Sequence, residues 1–432
     1  MRVVGASALM LSLVLVPAAA ARGQVGTPQT SVSNTTPSNN FGFNLPTHLG
    51  TLSYALSGSE IVGTGYGNGT FASTTALSGD LAYLSTSETD PFSLIYSGGY
   101  LYTNVPGTSS SSTFQNLAAS QVFRTRSWVY VISDSFSYLP ESPTTGLSGI
   151  AGVGDVGVFP VTGLGPSQDI LTDYARRIGN GVQGSATWQL TPSLDLEGSG
   201  SQNILHFLGG SSDLNSDEVD ASLGPSYRID VRNQIGFSGY YSRITYPNFS
   251  LFKIESEGVN LMYTRAWSRR LSTSIAAGPE NTHGYSLGPI PARVNFSAAV
   301  SATYNTRTTG FSAGYTRGVN AGSGVLYGAL SDTVTAGMNR PINRDWTLGV
   351  DGGFSRSAEL VAAQQAAPTF RSVYGGIQIS RRITETLSAY ASYTGIHQSF
   401  ENQPGVTNAF NGLNQNFAVG ITFAPPPLLR GH

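Results

Sequence analysis

From Arg293 to Arg317 apolar and polar side chains alternate over two consecutive segments. Val294, Phe296, Ala298, Val300, Ala302 and Tyr304 share one face, and Asn295, Ser297, Ala299, Ser301, Thr303 and Asn305 share the other. Neighbouring residues of an extended chain point to opposite sides, so this period of two predicts a β-strand with one apolar and one polar face. The pattern restarts after Asn305 to Thr308, with Phe311, Ala313 and Tyr315 against Ser312, Gly314 and Thr316. The two segments read as a hairpin closed by a short polar turn. The polar face carries hydroxyls, amides and glycines with few charges, which places the strand between lipid and a narrow wet lumen.

The same alternation recurs to the C-terminus with hardly a helical period. About eighteen strands are expected, starting near residues 49, 78, 92, 114, 127, 180, 194, 216, 233, 255, 271, 292, 308, 325, 344, 369, 385 and 414. Short connections such as Thr191 to Ser193, Asp230 to Asn233 and Ser268 to Arg270 alternate with longer ones. The longer ones include Leu208 to Asn215, Pro279 to Pro291, Val319 to Gly324 and Ser399 to Leu413. Short turns at one end and longer loops at the other are how outer-membrane barrels are built. Trp188, Tyr227, Tyr263, Trp267, Tyr304, Trp346 and Phe423 all fall on apolar faces near the short-turn ends, as an interfacial aromatic girdle would. The fold class expected is therefore all-β, a transmembrane antiparallel β-barrel of about 16 to 18 strands, closed so that every backbone polar group is paired.

Composition agrees. Only 11% of the 432 residues are charged, against about a quarter in ordinary soluble proteins, and 52 are glycine. A net charge of -2 offers no argument for nucleic acid, and the absence of cysteine removes disulfides, thiolate metal sites and thiol nucleophiles. Residues 1–23 read as a signal peptide, Met1-Arg2 followed by an apolar run to Val16, Pro17 and four alanines, with cleavage after Ala21 or Gly23. Residues 24–48 form a Ser/Thr/Asn/Pro leader too poor in apolar groups to offset its ordering entropy, 49–423 the barrel, and 424–432 a Pro-rich tail. One connection, 139–179, is long and rich in glycine and proline, and is expected either to fold inward and narrow the lumen or to form a surface flap.

Little in the sequence carries chemistry. Gly152-Val153-Gly154-Asp155-Val156-Gly157 fits GxGxxG letter for letter, but no parallel strand precedes it and Pro160 follows, so no nucleotide or other cofactor is expected. His206, His283 and His397 fall near the long-loop ends of their strands without metal-ligand spacing or an accompanying catalytic set. Asp195, Glu197, Asp220, Arg228, Asp332 and Asp351 fall on polar faces and are expected in the lumen, as structural ion pairs or as groups that tune ion selectivity. The positive charges are nearly all arginine, and many of them border the short turns.

Over roughly residues 49 to 423 the chain resembles Gram-negative outer-membrane β-barrel proteins of the porin-like kind. The segments Tyr138 to Pro143, Ala175 to Ile178 and Ile204 to Leu208 are similar to those of an uncharacterised group of such barrels. The resemblance implies an outer-membrane location, contact with outer-membrane lipid and handling by the barrel-assembly machinery. Members usually end on a terminal aromatic, whereas here Ala424 to His432 follows Phe423. The expected function is a passive channel for small polar solutes. The alternative is a non-conducting barrel whose outer loops bind a partner. An enzyme acting at the rim is disfavoured, since no catalytic constellation shows.

Overall fold

The computed structural model describes residues 51–66, 70–85, 90–105, 108–139, 176–208, 214–248, 252–285, 289–360, 368–401 and 411–426. The expected signal peptide and leader, nearly all of the 139–179 connection and the end of the tail lie outside them. Eighteen strands form one sheet. They are β1 Thr51–Tyr66, β2 Thr70–Leu84, β3 Phe92–Val105, β4 Thr108–Arg124, β5 Trp128–Leu139 and β6 Arg177–Thr191, then β7 Leu194–Phe207, β8 Ser216–Arg228 and β9 Asn233–Thr245. The second half comprises β10 Lys253–Ala266, β11 Leu271–Tyr285, β12 Pro289–Asn305, β13 Gly310–Asn320, β14 Ala329–Pro341, β15 Trp346–Glu359, β16 Thr369–Arg382, β17 Leu387–Glu401 and β18 Gly412–Phe423. Each pairs antiparallel with its sequence neighbours, and β1 pairs with β18 from Leu56↔Phe423 to Thr64↔Gln415. The sheet is therefore a closed barrel and leaves no edge strand.

From β4 onward, connections after even-numbered strands are short, as at 192–193, 229–232, 267–270, 306–309, 342–345 and 383–386. Local side-chain bonds hold these turns. Asp230 Oδ1 accepts from the backbone N–H of Arg232 at 2.6 Å and of Asn233 at 2.9 Å, and these bonds hold its carboxyl below the usual carboxylate range. Connections after odd-numbered strands from β5 onward are mostly longer. The expected loop from Pro279 to Pro291 is instead strand: β11 runs through Pro279 to Tyr285 and β12 begins at Pro289. Proline removes one ladder donor there, and the flanking pairs Gly278↔Ser297 and Glu280↔Asn295 keep the register. β2 also begins earlier than its pattern suggests, at Thr70.

The alternation resolves into two walls. Large apolar side chains stand exposed on the outer wall, among them Leu77, Phe237, Leu261, Phe296, Val373, Ile377 and Phe417. Small polar ones face inward, including Thr74, Ser78, Ser97, Asn116, Ser226, Ser238, Asn260, Ser297 and Ser372, all buried, beside one apolar cluster of Ile61, Ala76, Leu101, Phe114 and Ala418. On β16 the outward residues between Arg371 and Arg381 are Val373, Gly375, Ile377 and Ile379. At about 3.4 Å per residue and a tilt of about 40° this apolar segment stands about 25 Å tall, the height of a bilayer's hydrocarbon belt.

Candidate functional site

The functional space of such a fold is its lumen, and its most constructed part lies at the long-loop end. There the connection from β13 to β14, residues 321–328, turns back into the barrel as a strap. It opens with a short 3-10 turn at Gly322–Gly324. Asn320 starts the turn, its Oδ1 accepting from Gly322 N–H at 2.8 Å while its Nδ2 donates to Ser331 Oγ at 2.6 Å. Three glycines, Gly322, Gly324 and Gly328, have φ of 74°, 79° and 66°. Side-chain-bearing residues avoid that region, so the reversal depends on glycine there.

The strap is held from both sides of the lumen. On one side Leu214 N–H donates to Gly324 O at 2.8 Å, Gly324 packs on the Phe207 ring of β7, and Tyr246 Oη donates to Ala321 O at 3.1 Å. On the other, Leu360 N–H donates to Gly328 O at 3.0 Å, Tyr327 N–H donates to Glu359 Oε1 at 3.1 Å, and Val325, Leu326 and Ala329 pack on Phe370 of β16. β7 and β16 stand half the circumference apart, so the strap crosses the barrel from wall to wall. Its interior is apolar: Leu214, Ile244, Tyr246, Ile254, Ala321 and Leu360 form one buried cluster, with Phe252 and Tyr327 against it. Burial pushes the Tyr246 phenol well above its ordinary range, partly offset by a backbone hydrogen bond from Gly328, and burial likewise raises Tyr327.

Beneath the strap the inner wall of β7 to β12 is hydroxyl-rich and cross-linked. Tyr240 Oη donates to Ser297 Oγ at 3.2 Å, and Ser297 Oγ donates to Asn260 Oδ1 at 2.9 Å. Ser199 and Ser222 meet at 2.7 Å, and Ser201 Oγ donates to Asp220 Oδ2 at 3.1 Å. Asp195, Glu197, Asp220, Arg228 and Asp351 occupy inward positions, and Arg228 approaches Asp195 at 3.9 Å. Asp332 does not. It shares the outward parity of Leu330 and Val334, lies in register with Arg317 and Arg356, and is gripped by Arg317 Nη1 at 2.7 and 2.9 Å and by Tyr315 Oη at 2.8 Å. An ion pair at the upper edge of the apolar segment satisfies a carboxylate that the expected lumen position would have left inside.

The sequence reading missed four inward acids: Asp80 on β2, Glu218 on β8, Glu280 on β11 and Glu359 at the end of β15. Glu280 was hidden in the segment read as a loop, although its parity with Ala276 and Thr282 could have placed it. The seven aromatics of the expected girdle all stand at the short-turn end, and Trp188, Tyr227, Trp267, Tyr304 and Phe423 are among the exposed large side chains. Arg265 lies 4.0 Å from the Trp267 ring centre and Arg381 5.3 Å from that of Trp346. His206, His283 and His397 sit on different strands at outward positions, and His283 meets Glu255 at 3.6 Å. Glu255 is already held by Lys253 at 2.6 Å and Tyr241 Oη at 2.6 Å. Among the described residues no group of three or more His, Cys, Asp or Glu side chains could hold a metal ion.

A closed eighteen-strand barrel with an apolar outer wall and a polar inner one belongs to the class of transmembrane β-barrels, in the porin-like architecture. Solved structures of similar fold include Acinetobacter baumannii OccAB3, at 11% identity over 87% of this chain and 99% of that one, with a TM-score of 0.41. The outer membrane protein OpdK of Pseudomonas aeruginosa shares 9% identity over 88% and 99%, with a TM-score of 0.39. Pseudomonas aeruginosa OccK2 (OpdF), solved in complex with glucuronate, shares 9% over 88% and 100%, with a TM-score of 0.43. Likeness at these scores carries no weight for function. No protein-family model matches the sequence, and no curated protein matches it.

Proposed function

We propose that the protein is an outer-membrane channel through which small polar solutes cross passively, narrowed at its long-loop end by the strap. The observation that carries this reading is the contrast between the two walls. An inner face of serine, threonine, asparagine and carboxylate can replace the hydration of a polar solute, and the outer face is dressed for lipid. A barrel of this strand number encloses space for water. The long-loop end then faces outward and the short turns face the periplasm, where the barrel-assembly machinery would handle the chain during insertion.

The apolar packing around the strap favours a second reading, a non-conducting barrel whose loops bind a partner, because a plug this well packed could shut the lumen. Single-channel recording of the full chain in a planar bilayer separates the two. Steady unitary current supports the channel. Silence from folded, inserted protein, both intact and with Val325 and Leu326 replaced by serine to loosen the strap, refutes it in favour of the closed barrel.

A further inference from the structure

The carboxylates of this barrel fall into two populations. Those on the outer wall are matched by a neighbour. Glu60 accepts from the hydroxyls of Ser73 and Thr75, Asp134 from Asn180 Nδ2 at 2.9 Å, and Asp217 from Gln202 Nε2 at 3.0 Å. Glu257 accepts from Asn281 Nδ2 at 3.3 Å, Glu255 is held as described, Asp332 is gripped by Arg317, and Glu401 pairs with Arg371 at 2.8 Å. Inside the barrel Asp220 accepts from Ser201, Asp195 is approached by Arg228 and Glu359 accepts from the Tyr327 N–H, while three acids keep one oxygen open. Glu280 is 3% exposed and its Oε2 has no hydrogen-bond partner, and the same is true of Glu197 Oε1 and of Oδ1 of Asp80, which is 6% exposed. In a wet lumen these oxygens accept from water and stay available to a passing cation.

The inward cations are fewer than the inward acids. Among the described strands the inward arginines are Arg124, Arg228 and Arg382 at the short-turn mouth, Arg177 at the other, and Arg293, which lies in register with Thr282, Ser256 and Asp220. Apart from Arg293, the charged inward side chains between these rims are acids, namely Asp80, Glu197, Glu218, Asp220, Glu280 and Asp351. Glu218 and Asp220 are two residues apart on one strand, as are Asp195 and Glu197, which spaces successive carboxylates by about 7 Å. In register, Glu218 lies level with Ile244 and Ile254 just under the strap, Asp220 with Ser242 and Ser256 a step below, and Glu280 with Gly258 and Tyr240 a step below that. Glu197 and Asp195 continue toward the short-turn mouth. Asp80 stands on β2, half the circumference from Glu280, so the negative charge faces across the lumen.

We infer that this acid ladder makes the lumen selective for small monovalent cations, inorganic ions and compact organic ammonium or guanidinium ions, which step from one carboxylate to the next. The inference rests on the channel reading. Rows of like charge in a low-dielectric passage concentrate counter-ions and exclude co-ions. The outer-wall acids take no part, since their side chains point away from the lumen.

The test is the reversal potential of the full chain in a planar bilayer under a KCl gradient, then with ammonium or guanidinium replacing potassium. Potassium is expected to exceed chloride in permeability by about tenfold or more, with ammonium and guanidinium also carrying current. The triple variant Glu197→Gln, Asp220→Asn, Glu280→Gln keeps side-chain volume and should bring the ratio close to unity, whereas Asp217→Asn on the outer wall should leave it unchanged. A conducting wild type that is unselective or prefers chloride overturns the inference while leaving the channel intact. So does selectivity that survives the triple change. Absence of current from both the intact and strap-loosened chains overturns the channel and the inference with it.

Discussion

Replacing Gly324 by alanine attacks the strap at one atom. Gly324 has φ of 79°, a region that costs a non-glycine residue about 1 to 2 kcal/mol. Its added Cβ would also be driven into the ring of Phe207, well inside van der Waals contact. Overpacking of that kind costs about 1 to 3 kcal/mol. Together the penalty on the docked strap is about 2 to 5 kcal/mol, and at about 1.4 kcal/mol per factor of ten the ratio of docked to released strap falls by about thirtyfold or more. The barrel wall is untouched, because the clash involves only the strap and one inward ring. Single-channel recording should show a larger or more frequently open conductance in Gly324→Ala than in the wild type. Adding Phe207→Ala removes the ring from the path of the new methyl and should restore part of the wild-type behaviour. Identical records from wild type and Gly324→Ala, with both shown to be folded, would refute the view that the strap governs passage.

The neighbouring Tyr246 gives a pH signature. Burial raises its phenol above the ordinary value, so the docked strap keeps the proton while the released one loses it above about pH 10, and docking weakens as pH climbs through that point. Conductance should rise on alkalinisation in the wild type and lose that component in Tyr246→Phe, which gives up one hydrogen bond to Ala321, about 1 kcal/mol. On the outer wall, the Arg317–Asp332 pair has side chains 31% and 19% exposed, and Asp332→Ala should lower unfolding stability in lipid vesicles by about 1 to 2 kcal/mol. Glu401→Ala breaks the more exposed Arg371–Glu401 pair, at 47% and 56%, and should cost under about 1 kcal/mol when both variants are unfolded by urea in vesicles. Equal effects from the two would show that exposure does not grade these pairs.

Most of the wall was legible because a barrel strand is a local object. The alternation from Val294 to Tyr304 is set by the pleat, and its two faces are the two walls of β12. Parity read locally would also have placed Asp332 outside, since Leu330, Val334, Ala336 and Met338 share its side. Its charge drew it into the lumen set, and what permits it outside is a partner on another strand, Arg317, which no single-strand pattern reveals. The strap was illegible for a related reason. Val319 to Gly324 reads as an ordinary glycine-bearing loop, and its apolar contacts, Phe207, Ile254, Leu360 and Phe370, come from four strands or strand ends far apart in sequence. The expected inward fold of 139–179 was argued from length alone, and those residues lie outside the described ones apart from the ends at Leu139 and 176–179.

A hoop of eighteen strands is free to flatten into an ellipse when the bilayer presses on it, because bending a sheet breaks no hydrogen bond. The strap is a tie rod across that hoop, fixed near β7 at Leu214 and near β16 at Phe370. It holds one diameter constant and leaves the perpendicular one to yield. Squeezing the barrel therefore reshapes only the slots on either side of the rod, and a released strap would change the compliance of the whole ring as well as the width of its opening.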